Sequence, residues 1–227
     1  MPSDDLIGAL AADLRPVRRI ASPGAATLRW AGVSAAILGA AISLSTARPN
    51  FSAWLMSGDD KPELAIAAAT ALLASFAAFQ LAIPGRDRRW AVLPAIAGVG
   101  WLTWIGVGCW NDLATQDAVR LQPSPSCFAF IAIFGTPVLL LTLYLTRHAA
   151  VLRPWPVALL AGLAATASAD VGLAFVDHPH APIITLVWHG AAALLLTGSA
   201  VALGPWWMRR CAAWGSWWGG RQSRPPR

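Results

Sequence analysis

Six long apolar segments, separated by short polar connections, constrain this chain more than any other feature. Crossing the roughly 30 Å hydrocarbon core of a bilayer takes about 20 helical residues, because each residue rises about 1.5 Å. Charged residues make up only 12% of the 227 residues, whereas a soluble domain carries about 25%. We therefore predict an all-α polytopic membrane protein with six transmembrane helices. The predicted spans are Trp30–Ala47, Leu64–Ile83, Trp90–Trp110, Cys127–Thr146, Trp155–Val176 and Ile183–Leu203.

Several individual residues in these segments predict local features of the structure. Tryptophans at segment ends, such as Trp30 and Trp155, are typical of anchors at the membrane interface. Pro137 lies inside the fourth span and predicts a kink, which neighbouring helices can accommodate. Gly98 and Gly100 lie inside the third span and favour a close approach of another helix.

Positive charge is distributed unequally between the two sides of the predicted bundle. Of the 17 lysines and arginines, all but Arg48, Lys61 and Arg120 lie in the termini or in alternate connections. Because cytoplasmic loops are enriched in basic residues, both termini are predicted to be cytoplasmic. The chain then divides into a cytoplasmic segment at 1–29, a six-helix bundle at 30–204 and a basic, Trp-rich cytoplasmic tail at 205–227. We expect the tail to lie along anionic lipid.

The first residues predict a short amphipathic helix. Ser3 followed by Asp4 and Asp5 is a typical helix start. Such a helix has three possible environments: the lipid surface, the bundle, or a groove on a partner protein. Its acidic residues favour the partner, because anionic lipid repels them. The apolar stripe comprises Leu6, Ile7, Leu10, Leu14 and Val17, and the basic residues Arg15, Arg18 and Arg19 lie near its end.

The opening residues, DDLIGALAADLRPVRR at 4–19, resemble the N-terminus of the NrsF family of membrane anti-sigma factors. The six spans and the Pro182–Gly190 stretch, which ends in Trp-His-Gly, extend the resemblance along the chain. The resemblance implies that the cytoplasmic segment sequesters an extracytoplasmic-function sigma factor at a bacterial inner membrane and releases it on an envelope stress, an oxidant or a metal. The implied partner-binding residues are Asp5, Leu6, Ile7, Leu10, Leu14, Arg15, Val17, Arg18 and Arg19.

The resemblance also implies a pair of outward-facing cysteines that sense oxidants or thiophilic metals. Cys127 matches one of them. The second is expected immediately before the sixth span, and the sequence has no cysteine there. One replacement is a redox pair of Cys109 and Cys127. Another is a metal site formed by Asp177, His178 and His180, with or without Cys127. The alternatives are packed thiols and a plain His-Pro-His turn.

Two ionisable residues lie at similar depths on either side of the last turn between spans. Asp170 is near the end of the fifth span and His189 is near the start of the sixth. Ionisable side chains in a membrane interior are costly and are functional candidates. An Asp170–His189 pair either holds the bundle in one state or statically positions two helices.

The sequence indicates a non-enzymatic protein. It contains no HExxH, GxSxG or phosphate-binding loop motif. We predict no cofactor and no resident metal, a sigma factor and membrane lipid as partners, and neither direct nucleic-acid binding nor a small-molecule substrate. The alternative function is that of a small multi-pass transporter or channel-like protein that uses Asp170 and His189.

Overall fold

The computed structural model describes residues 3–12, 20–45, 61–115, 125–147, 149, 151–176 and 182–219. These residues form α-helices and one 3₁₀ helix, Arg88–Ala91, and contain no strand. The α-helices are α1 Ser3–Ala12, α2 Pro23–Leu44, α3 Lys61–Leu81, α4 Val92–Thr115, α5 Pro125–Leu145, α6 Pro154–Leu173 and α7 Pro182–Gly219.

Six helices, α2 to α7, are long and apolar enough to cross a membrane. The predicted all-helical architecture with six membrane-spanning helices is therefore confirmed. The first ten-residue helix, α1, is present where the sequence predicts a helix. That this helix is amphipathic stays a prediction.

The bundle helices begin and end at different residues from those that hydropathy predicts. Helix α2 begins at Pro23 instead of Trp30, because Ser22 caps it and accepts a hydrogen bond from the Ala25 backbone N–H at 3.4 Å. Proline at the first helical position adds to this start, since its missing N–H would have no partner there. Helix α7 continues through Pro205 as far as Gly219, so no helix end occurs at residue 204.

A tight turn joins α3 to the 3₁₀ helix before α4. Gly85 adopts a φ of 81° there, a left-handed conformation that glycine adopts without a steric penalty. Asp87 then caps the 3₁₀ helix by accepting a hydrogen bond from the Arg89 N–H at 3.0 Å. The Phe76 and Trp90 rings meet edge to face, with centroids 5.4 Å apart, and pack the two helices against each other.

Helix α6 lies at the centre of the bundle and packs against α2, α3, α5 and α7. Its side chains are mostly small, which allows neighbouring backbones to approach closely where lipid provides no hydrophobic force between helices. The fully buried alanines of this helix are Ala158, Ala161, Ala164, Ala165, Ala167 and Ala169.

Buried hydroxyl groups on α6 are satisfied within the helix itself. Thr166 donates to the Gly162 carbonyl at 3.0 Å, and Ser168 donates to the Ala164 carbonyl at 2.7 Å. This i to i−4 pattern places polar atoms in an apolar interior without leaving donors unpaired.

Glycines mark the closest helix contacts. A Cβ atom added to Gly162 would lie 2.6 Å from the Cα of Thr197 on α7, and one added to Gly204 would lie 2.9 Å from the Cβ of Ala158. Gly98, by contrast, has only ordinary contacts at 3.9 Å or more, and Gly100 has no atom within 4 Å. The expectation of close approach at Gly98 and Gly100 is therefore wrong.

Trp30 is buried in the bundle and does not anchor at the interface as expected. It is 2% exposed, and its Nε1–H donates to Oγ1 of Thr142 on α5 at 2.9 Å. The Thr142 hydroxyl in turn donates to the Val138 carbonyl at 3.0 Å. Because α2 begins at Pro23, Trp30 lies about two turns into the helix, where it packs against other helices. Trp155, at the start of α6, is 60% exposed, and its anchoring role stays a prediction.

The two ends of the bundle differ in charge. The basic end comprises the starts of α2, α4 and α6 and the ends of α3 and α5. Its described arginines are Arg29, Arg86, Arg88, Arg89, Arg147, Arg153 and, on α7 beyond Gly204, Arg210. The other end, which we call the opposite end, comprises the ends of α2, α4 and α6 and the starts of α3, α5 and α7.

We expect Gly162→Ala to lower the free energy of unfolding by about 1–3 kcal/mol, because the added methyl group overpacks the α6–α7 contact. The matched control is Gly106→Ala, since Gly106 also lies in a spanning helix and has no atom within 4 Å. Thermal unfolding of both variants in the same detergent measures the difference. Equal midpoints for the two variants would contradict the close α6–α7 approach.

Candidate functional site

The end of the bundle opposite the basic end contains a buried contact between two ionisable side chains. His189 Nδ1 lies 2.5 Å from Asp170 Oδ1, and the two side chains are only 16% and 8% exposed. Both atoms are buried, and neither has a hydrogen-bond partner of good geometry among the described residues, so this close contact is the polar interaction that they make. The structure therefore brings together the two intramembrane residues that the sequence singles out.

Two adjacent helices position this contact. Asp170 lies in the last turn of α6, where its carbonyl accepts the Ala174 N–H at 3.1 Å. His189 lies on α7, which packs along α6 over an extensive interface. The two helices run antiparallel, since Asp170 lies beside His189 and Gly162 lies beside Thr197.

Cys127 is the third member of the site. Cys127 lies at the start of α5, is 2% exposed, and its side chain is close enough to the His189 side chain to interact with it. Cys127, Asp170 and His189 thus form one group, which we call the polar cluster. Sequence reasoning considered Cys127 only with Cys109 or with the 177–180 turn. It missed this grouping because α5 is not consecutive with α7.

The surroundings of the polar cluster are apolar. Cys127 and the neighbours of Asp170 and His189 belong to a core at this end of the bundle. Next to His189, the Trp188 ring meets Phe128 edge to face, with centroids 6.4 Å apart. The other buried side chains of this core are Ala41, Phe130, Ile131, Ala169, Leu173, Ala192 and Leu196.

This arrangement favours one packing of three helices. In an apolar surrounding, a polar group that loses its partner costs more than it would in water. Separating α5, α6 and α7 would strip the carboxylate, imidazole and thiol of their mutual partners. Chemical change at any one of the three side chains therefore alters the free energy of this packing.

Of the other sensor candidates, the structure describes Cys109. Cys109 is buried on α4, and neither it nor Cys127 forms a disulfide. Helix α4 packs against α3 and α7, and α4 and α5 form no extended interface in the described part of the chain. Asp177, His178 and His180 lie outside the described residues. No set of three described His, Cys, Asp or Glu side chains, the polar cluster included, is arranged so that it could hold a metal ion.

The N-terminal helix is partly described. Asp5 and Ile7 on α1 are exposed, and Ile7 keeps 61% of its surface. Leu6 and Leu10 lie on the same helix. Leu14, Arg15, Val17, Arg18 and Arg19 lie outside the described residues. At Ile7, therefore, the predicted stripe is not covered by the transmembrane bundle.

Comparison with known proteins identifies one family. The family model described as NrsF, negative regulator of sigma F, matches residues 10–210. No curated protein and no solved structure gives a significant match to the chain. The matched range includes all three residues of the polar cluster and begins within α1.

We expect a double-mutant cycle of Asp170→Ala and His189→Ala to show a coupling energy of about 1 kcal/mol or more, near the upper range for polar pairs in membranes. Denaturation of the two single variants and the double variant in mixed micelles measures it. The control cycle combines Asp170→Ala with Thr142→Val, at the other end of α5, and should be additive. Additivity in both cycles would show that the Asp170–His189 contact contributes nothing to stability.

Proposed function

The chain belongs to the NrsF family of negative regulators of sigma F, and on that premise we propose that it is a membrane anti-sigma factor. Its partner is an extracytoplasmic-function sigma factor, held at the cytoplasmic face of a bacterial inner membrane. The observation that carries the proposal is the family match over residues 10–210. The six apolar helices support membrane attachment.

The sigma factor binds to the N-terminal segment. The stripe that begins at Leu6 and Ile7 is buried on the partner, and burial contributes about 25 cal/mol per Å² of apolar surface. Exposed Ile7 supports this step, because the bundle leaves its side chain available. Arg15, Arg18 and Arg19 set the register and the association rate through acidic groups on the partner.

The orientation of the bundle follows from the basic end. Described arginines at the starts of α2, α4 and α6 and the ends of α3 and α5 support a cytoplasmic position for this end. The polar cluster then lies near the outer face of the membrane. The signal and the sigma factor act at opposite ends of the same helices.

The polar cluster receives the signal. A peroxide that reaches Cys127 oxidises the thiol to a sulfenic acid and is itself reduced to water. The larger and more polar group no longer fits the apolar core around it, so the packing of α5, α6 and α7 loses stability. A second packing becomes populated only because the oxidised side chain distinguishes the two states energetically. The second packing changes how the N-terminal segment is presented, and the sigma factor leaves.

We expect Leu10→Asp combined with Leu14→Asp to abolish co-purification of the sigma factor with the full-length protein and to switch its target genes on. Two carboxylates within a buried apolar interface would each carry a desolvation cost. The measurement is a pull-down from membranes together with reporter transcription.

The matched control is Gly8→Asp combined with Ala12→Asp. These substitutions add the same charge on the opposite face of the N-terminal helix, given its 3.6-residue turn. The control should retain both the complex and the repression. Retention of the complex by the Leu10 and Leu14 variant would exclude the stripe as the docking surface.

We expect Cys127→Ser to shift the peroxide dose needed for derepression upward by about tenfold or more, because a hydroxyl cannot follow the thiol oxidation pathway. Cys109→Ser is the control and should respond like the wild type, since Cys109 lies on α4, away from the polar cluster. Reporter transcription against peroxide concentration measures both. An unchanged response of Cys127→Ser would exclude a thiol sensor, whereas an equal shift in both variants would favour a Cys109–Cys127 redox pair.

A further inference from the structure

A cavity of about 540 Å³ opens at the basic end, between the start of α2 and the ends of α3 and α5. Its volume lies within the range of ordinary small-ligand sites. Most of the residues around it lie in or next to the terminal turns of three membrane-spanning helices. The cavity therefore lies at the level where the hydrocarbon core meets the lipid headgroups.

Two arginines from different helices line the cavity. Arg29 comes from α2 and Arg147 follows α5. Arg147 is held in place by Tyr144: its Cζ lies 3.3 Å from the Tyr144 ring centroid, and its Nη1 donates to the Tyr144 carbonyl at 3.1 Å. Because the guanidinium is held this way, less conformational entropy is lost when an anion binds.

The protein supplies no counter-charge for these arginines within its described part. No carboxylate is among the described residues that line the cavity. At this end of the bundle, α1 aside, the described carboxylate is Asp87, which pairs with Arg89 at 3.5 Å. The cavity is therefore complementary to an anion.

The cavity is also apolar on its walls. Phe79 and Ile83 from α3 and Leu145 from α5 line it beside the arginines. Outside it, Leu28 on α2 is 76% exposed. A free inorganic anion would leave these apolar walls uncovered, whereas a phospholipid covers them with its glycerol and acyl groups.

We propose that this cavity binds the headgroup of an anionic phospholipid. The phosphate lies between the Arg29 and Arg147 guanidinium groups, which suit phosphate oxygens because each presents a planar fork of donors. The acyl chains extend along the apolar surface of α2. Basic pockets between membrane helices are suited to such lipids. Ile20 and Ala21 also line the cavity, so the bound lipid contacts the segment that leads from α1 into α2.

The test titrates phosphatidylglycerol or phosphatidylcholine into the purified full-length protein in detergent, with the lipid-bound fraction read by native mass spectrometry. Wild-type protein should bind phosphatidylglycerol at least about tenfold more tightly than phosphatidylcholine. Arg29→Gln combined with Arg147→Gln should remove that preference, because each guanidinium attracts the anionic headgroup. The experiment contains no sigma factor, so its outcome is independent of the proposed function.

The charge-matched control is Arg86→Gln combined with Arg88→Gln, two exposed arginines of the same end that do not line the cavity. It should keep the preference. Ala21→Trp keeps both cavity arginines, fills the rim and should weaken phosphatidylglycerol binding; it also serves if the double arginine variant does not fold. An equal loss in the control pair, no lipid preference in the wild type, or displacement of the lipid by millimolar inorganic phosphate would overturn the proposal.

Discussion

Close packing of small residues along α6 is the interaction on which the rest of the structure depends. In a bilayer, burying apolar side chains against each other gains little over contact with lipid, so helix association relies on van der Waals packing and polar contacts. Alanines and glycines on α6 allow four neighbouring helices to contact it. At Gly162 the backbones of α6 and α7 come so close that even one methyl group would collide with Thr197.

This close packing also creates the chemistry of the site. Asp170 and His189 face each other because α6 and α7 are in tight contact, and Cys127 joins them because α5 packs on both helices. The polar cluster is thus part of the interfaces that define the bundle. A change in the charge or size of one of its side chains therefore acts directly on helix packing.

Helix α5 connects the two ends that carry functional proposals. Cys127 lies near its start, and Tyr144, which holds Arg147, lies in its last turn. The same last turn is joined to α2 by the buried hydrogen bond from Trp30 to Thr142. The polar cluster and the cationic cavity therefore share one helix, and α2, which leads to the N-terminal segment, is bonded to it.

The sequence predicted some features well and others poorly, for identifiable reasons. Hydropathy detects the apolar stretch that lies in lipid, and so it found every bundle helix. It does not detect capping, which moves the start of α2 to Pro23, and it does not show whether a proline such as Pro205 ends a helix. Asp170 and His189 were singled out together because consecutive antiparallel helices share depth. The inclusion of Cys127 was missed because its contact with His189 joins α5 to α7, which are not consecutive in the chain.

Composition and order along the chain were thus enough to establish the membrane-spanning helices and their number, because the bilayer requires long apolar helices whatever their arrangement. They did not reveal which face of each helix lies inward. Trp30 is buried, Gly98 and Gly100 make no close contact, and Gly162 does; each outcome depends on which helices are neighbours. Only the folded bundle decided those neighbours, because contacts between apolar helices in lipid are selected by shape and by a few polar partners, which depend on three-dimensional fit.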